Sequence, residues 1–486
     1  MTRKIPSCIS LLTIALCLTP AARAQATLQP HTLTYAPGKS ITLSLPSGLD
    51  INVAASGLRR VRFFAQAPDG RIFVTGMYNL ADNNQGSVFI LDGWDERTHT
   101  FAHVTHYLDH LRNPNNLAFY TEPATALHPG QTWLYLPLTD RLLRYKYTPG
   151  DNAPSAPPQV LMRFPDYGLN YKYGGWHLTR TVAVATLHGQ THVYIAAGSS
   201  CNYCREREVI RASLSSMDPD GSHQQLLAQG LRNAVDLAYV EGLDGGALFA
   251  TNMGDDHLGD KLPEDTFFEL DSNDHPGPVW SVHKAAPVPP GVDPMKVNDL
   301  TIPPPNYGWP ACYFAHSKPV LDTTPLPNMP TIGDPAYTAE GPDGAPPGAL
   351  KNAIATSAKA DPNANLGTAP APLTTCKDAP AAYTTFAAHS SPLGMAYFGD
   401  GNPTLHNTFL VALHGAGHSR IGTGYRLAQF SPTDRRPHDF LTGFLTIATG
   451  KPIVHGRPCG LLRTGPDSFL LTDDHLGLIY SIHPTR

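Results

Sequence analysis

From Leu231 to Asp255 the chain reads LRNAVDLAYVEGLDGGALFATNMGD: a polar Arg-Asn pair, an apolar stretch with strand character, a tight turn and a second strand. The same plan recurs from Arg60 (RVRFFAQAPDGRIFVTG), from Arg112 (RNPNNLAFY), from His177 (HLTRTVAVATLHGQTHVYIAAG), from Ser391 (SPLGMAYFGDGNPTLHNTFLVALHG) and from Gly456 (GRPCGLLRTGPDSFLLTDD). A unit repeated every roughly 50 to 65 residues, rich in β-branched and aromatic residues and punctuated by PDG, LDGG and GDG turns, is the pattern of a β-propeller. The copies predict an all-β fold of six blades. In a propeller, corresponding positions of successive blades form a ring about one axis, so His177, Arg232 and Arg457 are expected to face a common centre despite their separation in sequence.

Composition agrees with one large all-β body. The chain has 486 residues, of which 42 are Gly and 47 are Pro, the turn-dense balance of strands rather than helices. A net charge of -5 with 15% charged residues and no basic run argues against nucleic acid as a partner. The first residues read as an export signal: Arg3 and Lys4, an apolar core from Ile9, and a small-residue cleavage site ending at Ala24. The apolar core is shorter than the roughly 20 residues that span a bilayer, and Leu16 before Cys17 does not fit a lipoprotein site. The expectation is a periplasmic or secreted protein that does not span the membrane, with residues 25–486 as one propeller domain.

Five cysteines then remain in an oxidising compartment: Cys201, Cys204, Cys312, Cys376 and Cys459. The Cys201-Asn202-Tyr203-Cys204 spacing suits half a zinc site, but no second pair completes the coordination. Haem attachment requires His after the second Cys, where Arg205 stands. A local disulfide is favoured over free thiols. Cys312 and Cys376 flank an insertion of about 130 residues between the fourth and fifth repeats, far beyond ordinary loops, and are positioned to close it. Within it, His257 to Phe314 carries short proline-bounded strands, and Thr323 to Thr375 is an Ala/Pro/Gly-rich tract expected to be a mobile surface loop. Cys459, at the start of an apolar strand, is expected to be a buried thiol.

The chemistry is expected from the polar residues that open each repeat: Arg60 and Arg62, Arg112 with Asn113 and Asn115, His177, Arg232 with Asn233, and Arg457. Several arginines converging on one place repel one another and lose hydration unless an anion offsets the cost, which predicts a multiply anionic ligand. A neutral His beside it, able to accept a proton near neutral pH, suits oxidation of an alcohol or hydrolysis.

Taken in order, HLTR from His177, VYIAAGSSCNYCRE from Val193, DPDG from Asp218, GLRNAVDL from Gly230, GDDHLGDKLPED from Gly254, NYGWPACY from Asn306, HSSPLGMAY from His389, and GRP with LLTDD and GLIY from Gly456 to Tyr480 resemble the glucose/sorbosone dehydrogenase family. These are soluble six-bladed propellers using pyrroloquinoline quinone (PQQ), and the pattern is nearest the sorbosone dehydrogenase-like branch. The resemblance implies PQQ and Ca²⁺ as cofactors and a sugar, sugar aldehyde or alcohol as substrate. It implies His177 as the general base, Arg232, Asn233 and Arg457 as cofactor contacts, Arg62 and His414 as further contacts, and Gly254 and Asp255 at the calcium site. After His414 this branch commonly has Gly-Ser-Trp-Asn-Arg, whereas this chain has Gly415-Ala416-Gly417-His418-Ser419-Arg420 and so lacks the aromatic stacking surface. No haem motif is present, so electrons would leave through a separate acceptor, a cytochrome or the quinone pool. Two alternatives stand beside this expectation: a calcium-dependent lactonase-type hydrolase on a six-bladed propeller, and a non-catalytic propeller binding a sugar or a protein.

Overall fold

The computed structural model describes residues 27–125, 129–164, 177–206, 208–283, 304–325, 372–401 and 404–485. The stretch expected to be an export signal and most of the Ala/Pro/Gly-rich tract lie outside the described residues. Six four-stranded antiparallel sheets form the body. Their innermost strands are Val61–Gln66, Ala118–Thr121, Arg180–Leu187, Ala234–Val240, Pro392–Phe398 and Pro458–Arg463, each a short apolar run that follows one of the polar openings read in the sequence. The six-bladed propeller is therefore borne out. Among the described residues, no helix is long and apolar enough to cross a membrane.

Six hydrophobic clusters hold the body together, one between each pair of neighbouring blades. Phe73 and Val88 of the first blade meet Leu134 and Leu143 of the second, and Leu142 of the second meets Val182 and Ile195 of the third. Further round, Tyr194 and Leu214 meet Leu248 and Phe268, Phe249 and Phe267 meet Phe409 and Phe430, Phe398 and Leu410 meet Leu461 and Leu471, and Leu470 and Ile479 meet Val61 and Val74. Each fully buried aromatic or branched side chain contributes about 1.5–3 kcal/mol, so neighbouring blades stabilise one another through these contacts. Closer to the axis, threonine hydroxyls tie blade to blade by donating to inner-strand carbonyls. Thr75 reaches Asn115 at 2.5 Å, Thr181 reaches Val235 at 2.7 Å, Thr251 reaches Leu393 at 2.9 Å and Thr472 reaches Arg62 at 2.6 Å.

The ring is closed by the chain's two ends. Leu49–Ala55 pairs antiparallel with Leu478–Pro484 and supplies the outer strand of the sixth blade, with Ile51 opposite Ile482. This removes the free edge that a three-stranded last blade would present.

The insertion sits inside the fourth blade. Its third strand is Asp265–Ser272 and its outer strand Thr384–Phe386, with a hairpin of Cys312–Ala315 and Lys318–Leu321 between them. The start of the insertion at His257 is thus corrected: the segment to Ser272 belongs to the blade, because Phe267 and Phe268 pack into the clusters on its two faces. The cysteine reading holds throughout. Cys201 is bonded to Cys204 and Cys312 to Cys376, while Cys459 is a buried free thiol whose pKa burial pushes up to about 12.

Closure makes a direct prediction. Deleting residues up to Ala55 removes the outer strand of the last blade and should abolish a cooperative melt and promote aggregation. Differential scanning calorimetry decides it, and a transition like that of the full chain would mean that closure is dispensable.

Candidate functional site

Two groups of polar side chains gather where the inner strands begin. The first joins the fifth, sixth and first blades around one buried carboxylate, Asp474, which follows the strand Phe469–Asp473. Arg62 donates to it at 3.0 Å, Arg60 at 3.4 Å, and the His414 Nε2 lies 2.9 Å away. Burial opposes ionisation of Asp474, but His414, Arg62 and Arg60 together outweigh it and hold the carboxyl well below the usual carboxylate range. Burial pushes the His414 imidazole down, partly offset by Asp474. Arg457 continues the group: it donates to the carbonyls of Gly415 at 3.0 Å and Ala416 at 3.1 Å and to the Tyr425 hydroxyl at 2.9 Å, and one of its nitrogens lies 3.4 Å from the His414 Nδ1.

The second group joins the third and fourth blades. The His177 Nδ1 lies 2.8 Å from the Ser199 hydroxyl, and the Ser199 amide donates to the Arg232 carbonyl at 2.7 Å. Arg232 is 3% exposed and donates to Asn202 through both backbone and side chain, at 2.9 and 2.7 Å, and to the Gly254 carbonyl at 2.6 Å. The Cys201–Cys204 disulfide thus folds Asn202 over the guanidinium. Burial and, next, the Arg232 charge push His177 well below the usual imidazole range, so it is neutral at physiological pH. Asn233 lies beside it. At Gly198 a Cβ would stand 2.6 Å from both the Asn233 Oδ1 and the His177 Cβ, so only glycine lets the two approach.

Asn115 connects the groups. It accepts from Arg62 at 3.1 Å and donates to the Thr181 hydroxyl at 3.0 Å and the Val235 carbonyl at 3.1 Å. The structure therefore brings His177, Arg232, Asn233 and Gly254 together on one side and Arg62, His414 and Arg457 on the other. Arg112 departs from the expected ring, since its guanidinium is bound to Asp82, at 2.9 Å through Nε. Part of the charge that the converging arginines bring is offset within the protein, because Asp474 pairs with Arg60 and Arg62. Sequence reasoning did not assign a role to Asp474, Ser199 or Asn202. The Asp473-Asp474 pair closing an apolar strand opposite Arg457 was the available signal for the first.

The Gly254 and Asp255 pair has a mixed environment for calcium. The Asp255 carboxylate is buried and lies 2.6 Å from the His257 Nδ1, whose other nitrogen is 2.6 Å from Asp322. The Asp255 Oδ1 and the His257 Nδ1 are within ion-pair distance but not in hydrogen-bond geometry, and both are buried without a hydrogen-bond partner. The Gly254 carbonyl shares itself with Arg232 and keeps a second lone pair. Asp255, Asp256 and Asp265 surround that single guanidinium, a surplus of carboxylates. Asp265 is one whose carboxyl burial pushes up to about 7, while it accepts from the amides of Gly254 and Ser391 at 2.8 Å each. The Arg62 Nε and the Ser390 hydroxyl are among the buried atoms of the described residues that lack a hydrogen-bond partner.

A family model described as TrAA12-like matches residues 43–441. The fold is similar to the holo form of the pyranose dehydrogenase PQQ domain from Coprinopsis cinerea, with a TM-score of 0.56 at 15% identity, covering 91% of this chain and 97% of that one. It is similar also to the carbohydrate-active enzyme of family AA12 from Trichoderma reesei. Its iodide structure has a TM-score of 0.54 at 14% identity over 91% of this chain and 97% of that one. Its calcium structure has a TM-score of 0.53 at 14% identity over 96% and 100%. No curated protein matches the sequence.

Replacing Asp474 by Asn leaves Arg62 buried without its counter-charge, and breaking a buried pair from one side costs about 3–5 kcal/mol. Asp474→Asn should therefore unfold at markedly lower denaturant than wild type, and an unchanged midpoint in a urea titration would mean that Asp474 does not hold the axis.

Proposed function

Because the chain belongs to the TrAA12-like family, we propose that it is a PQQ-dependent dehydrogenase that oxidises a sugar, sugar aldehyde or alcohol outside the cytoplasm. The observation that carries this reading is the junction of His177 with Arg232 and Asn233 through Ser199, a neutral base built against a buried guanidinium. The motif order of the sorbosone dehydrogenase-like branch supports a sugar or sugar aldehyde as substrate. Two disulfides support an oxidising compartment.

The residues present suit the cofactor. PQQ carries three carboxylates, and Arg232, Asn233 and Arg457 offer charged and amide donors, with the unpartnered Nε of Arg62 a further donor. Gly198, where a Cβ would clash with both, lets His177 and Asn233 pack together as one unit. Calcium would be held at the Gly254 carbonyl, with the surrounding carboxylates balancing its charge and Asp255 contributing backbone rather than side chain. When bound, PQQ supplies an electrophilic carbonyl that accepts hydride, polarised by Ca²⁺. His177 takes the substrate hydroxyl proton, and its low proton affinity keeps it ready as a base through neutral pH. Arg232 and Arg457 orient the acceptor by bonds that Asn202 and Tyr425 pre-set. Electrons pass to a separate acceptor, a cytochrome or a quinone.

The lactonase alternative fits less well. It requires carboxylate and Asn side chains presented to a metal on the axis, whereas Asp474 is bound by two guanidiniums and Asn115 by Arg62 and Thr181.

Reconstitution with PQQ and Ca²⁺ tests the reading by reduction of a dye with aldoses, ketoses and sorbosone-like aldehydes. Because only the neutral imidazole is active and its pKa lies well below 6.5, kcat should be flat through neutral pH and fall only as acid protonates His177. His177→Asn should lose about a hundredfold to ten-thousandfold in kcat while quinone binding is retained. Near-normal turnover in that variant would remove His177 from the mechanism, and lactone hydrolysis without quinone would replace the dehydrogenase by the hydrolase.

A further inference from the structure

The proton on His177 is located by what its Nδ1 faces. Two Ser199 atoms lie against that nitrogen, the hydroxyl at 2.8 Å and the backbone carbonyl at 3.2 Å. The carbonyl can only accept. The hydroxyl is already a donor elsewhere, to the Cys201 carbonyl at 2.7 Å, so toward His177 it too presents a lone pair. With acceptors on both counts, the neutral ring must carry its hydrogen on Nδ1, which leaves the basic lone pair on Nε2. The Cys201 carbonyl that receives the Ser199 proton belongs to the loop closed by the Cys201–Cys204 disulfide, and the Ser199 amide is fastened to the Arg232 carbonyl. Ser199 is buried and held at three points.

We propose that Ser199 is a positioning residue that fixes His177 in the Nδ1–H tautomer, with Nε2 as the proton-accepting atom. The proposal rests on His177 being the base of the reading above and deepens it. Ser199 is uncharged, and this has a chemical consequence. A carboxylate in its position would orient the ring equally well but would raise the imidazole's proton affinity; a hydroxyl orients it without opposing the low pKa that burial and Arg232 impose. The disulfide loop becomes part of the same device, since it holds the carbonyl that turns the hydroxyl's lone pair toward the ring.

The test uses the full chain with ¹⁵N-labelled histidines, and the His177 signal is identified by its loss in His177→Asn. In wild type without cofactor, the nitrogen shifts should report the Nδ1–H form. Ser199→Ala, which loses the hydroxyl but keeps the longer backbone-carbonyl contact, should shift the balance measurably toward the Nε2–H form, Ser199→Thr should restore the wild-type pattern, and Ser199→Asp should raise the pH at which the ring titrates. In the PQQ-loaded protein, Ser199→Ala should lower kcat about tenfold, the worth of one hydrogen bond, with KM and quinone affinity little changed. An unaltered tautomer in folded Ser199→Ala overturns the proposal whether or not the chain binds quinone. If the tautomer shifts as expected but the wild type neither binds nor reduces quinone, the positioning role stands and the dehydrogenase reading falls.

Discussion

The axis of this propeller depends on one buried carboxylate. Asp474 takes Arg62 from the first blade, His414 from the fifth and Arg60 from the loop before the first, and through Arg62 it reaches Asn115 in the second. Desolvating a carboxylate and a guanidinium is costly, and their attraction offsets that cost only when the remaining donors and acceptors are also satisfied. Here most are, by Asn115 and by the neighbouring His414, with the Arg62 Nε the exception. Because Arg62 and Asp474 lie on blades formed by opposite ends of the chain, their pairing is coupled to ring closure by the strand Leu49–Ala55. Fold and site are therefore not separable at this point.

Across the axis the logic differs. Arg232 has a weaker ionic partner, the largely exposed Asp256 at 3.9 Å, with the charges of Asp255 and Asp265 acting on it as well. Its hydrogen bonds go to Asn202 and to the carbonyls of Met253 and Gly254. A guanidinium held by neutral acceptors keeps most of its charge for a ligand, whereas one bound to Asp474 does not. The two sides thus differ in their bonds: Arg62 and His414 are tied to Asp474, while Arg232 and Arg457 are held mainly by carbonyl, amide and hydroxyl oxygens, the arrangement on which the proposed anion site rests. His177 is joined to Arg232 through Ser199, and burial first, the Arg232 charge second, push its imidazole well below the ordinary range.

Much of this was legible in the sequence because a repeat fixes geometry. The polar residue before each apolar strand had to fall at the start of an inner strand, so the junction of His177 with Arg232 and Asn233 followed from position within the repeat. The disulfides followed from spacing together with the expected compartment. What stayed hidden was partner choice. Arg62 and Asp474 are 412 residues apart, and nothing local marks one as the counter-charge of the other. Arg112 reads like the other arginines until Asp82 claims it. Asp265–Ser272 was obscured because the proline-rich stretch before the hairpin blurred the boundary between blade and insertion, and only its packing on both faces reveals it as the third strand of the fourth blade.

The central claim is that Arg232 and Arg457 keep their charge for a polycarboxylate cofactor while Asp474 satisfies the rest. Calorimetric titration of PQQ in the presence of Ca²⁺ into the wild-type chain and into Arg232→Ala and Arg457→Ala tests it most directly. One site per chain is predicted, with each substitution costing about 3–5 kcal/mol of affinity, as expected when a buried charge contact loses one partner. No binding by folded wild type, or wild-type affinity in both variants, would contradict it.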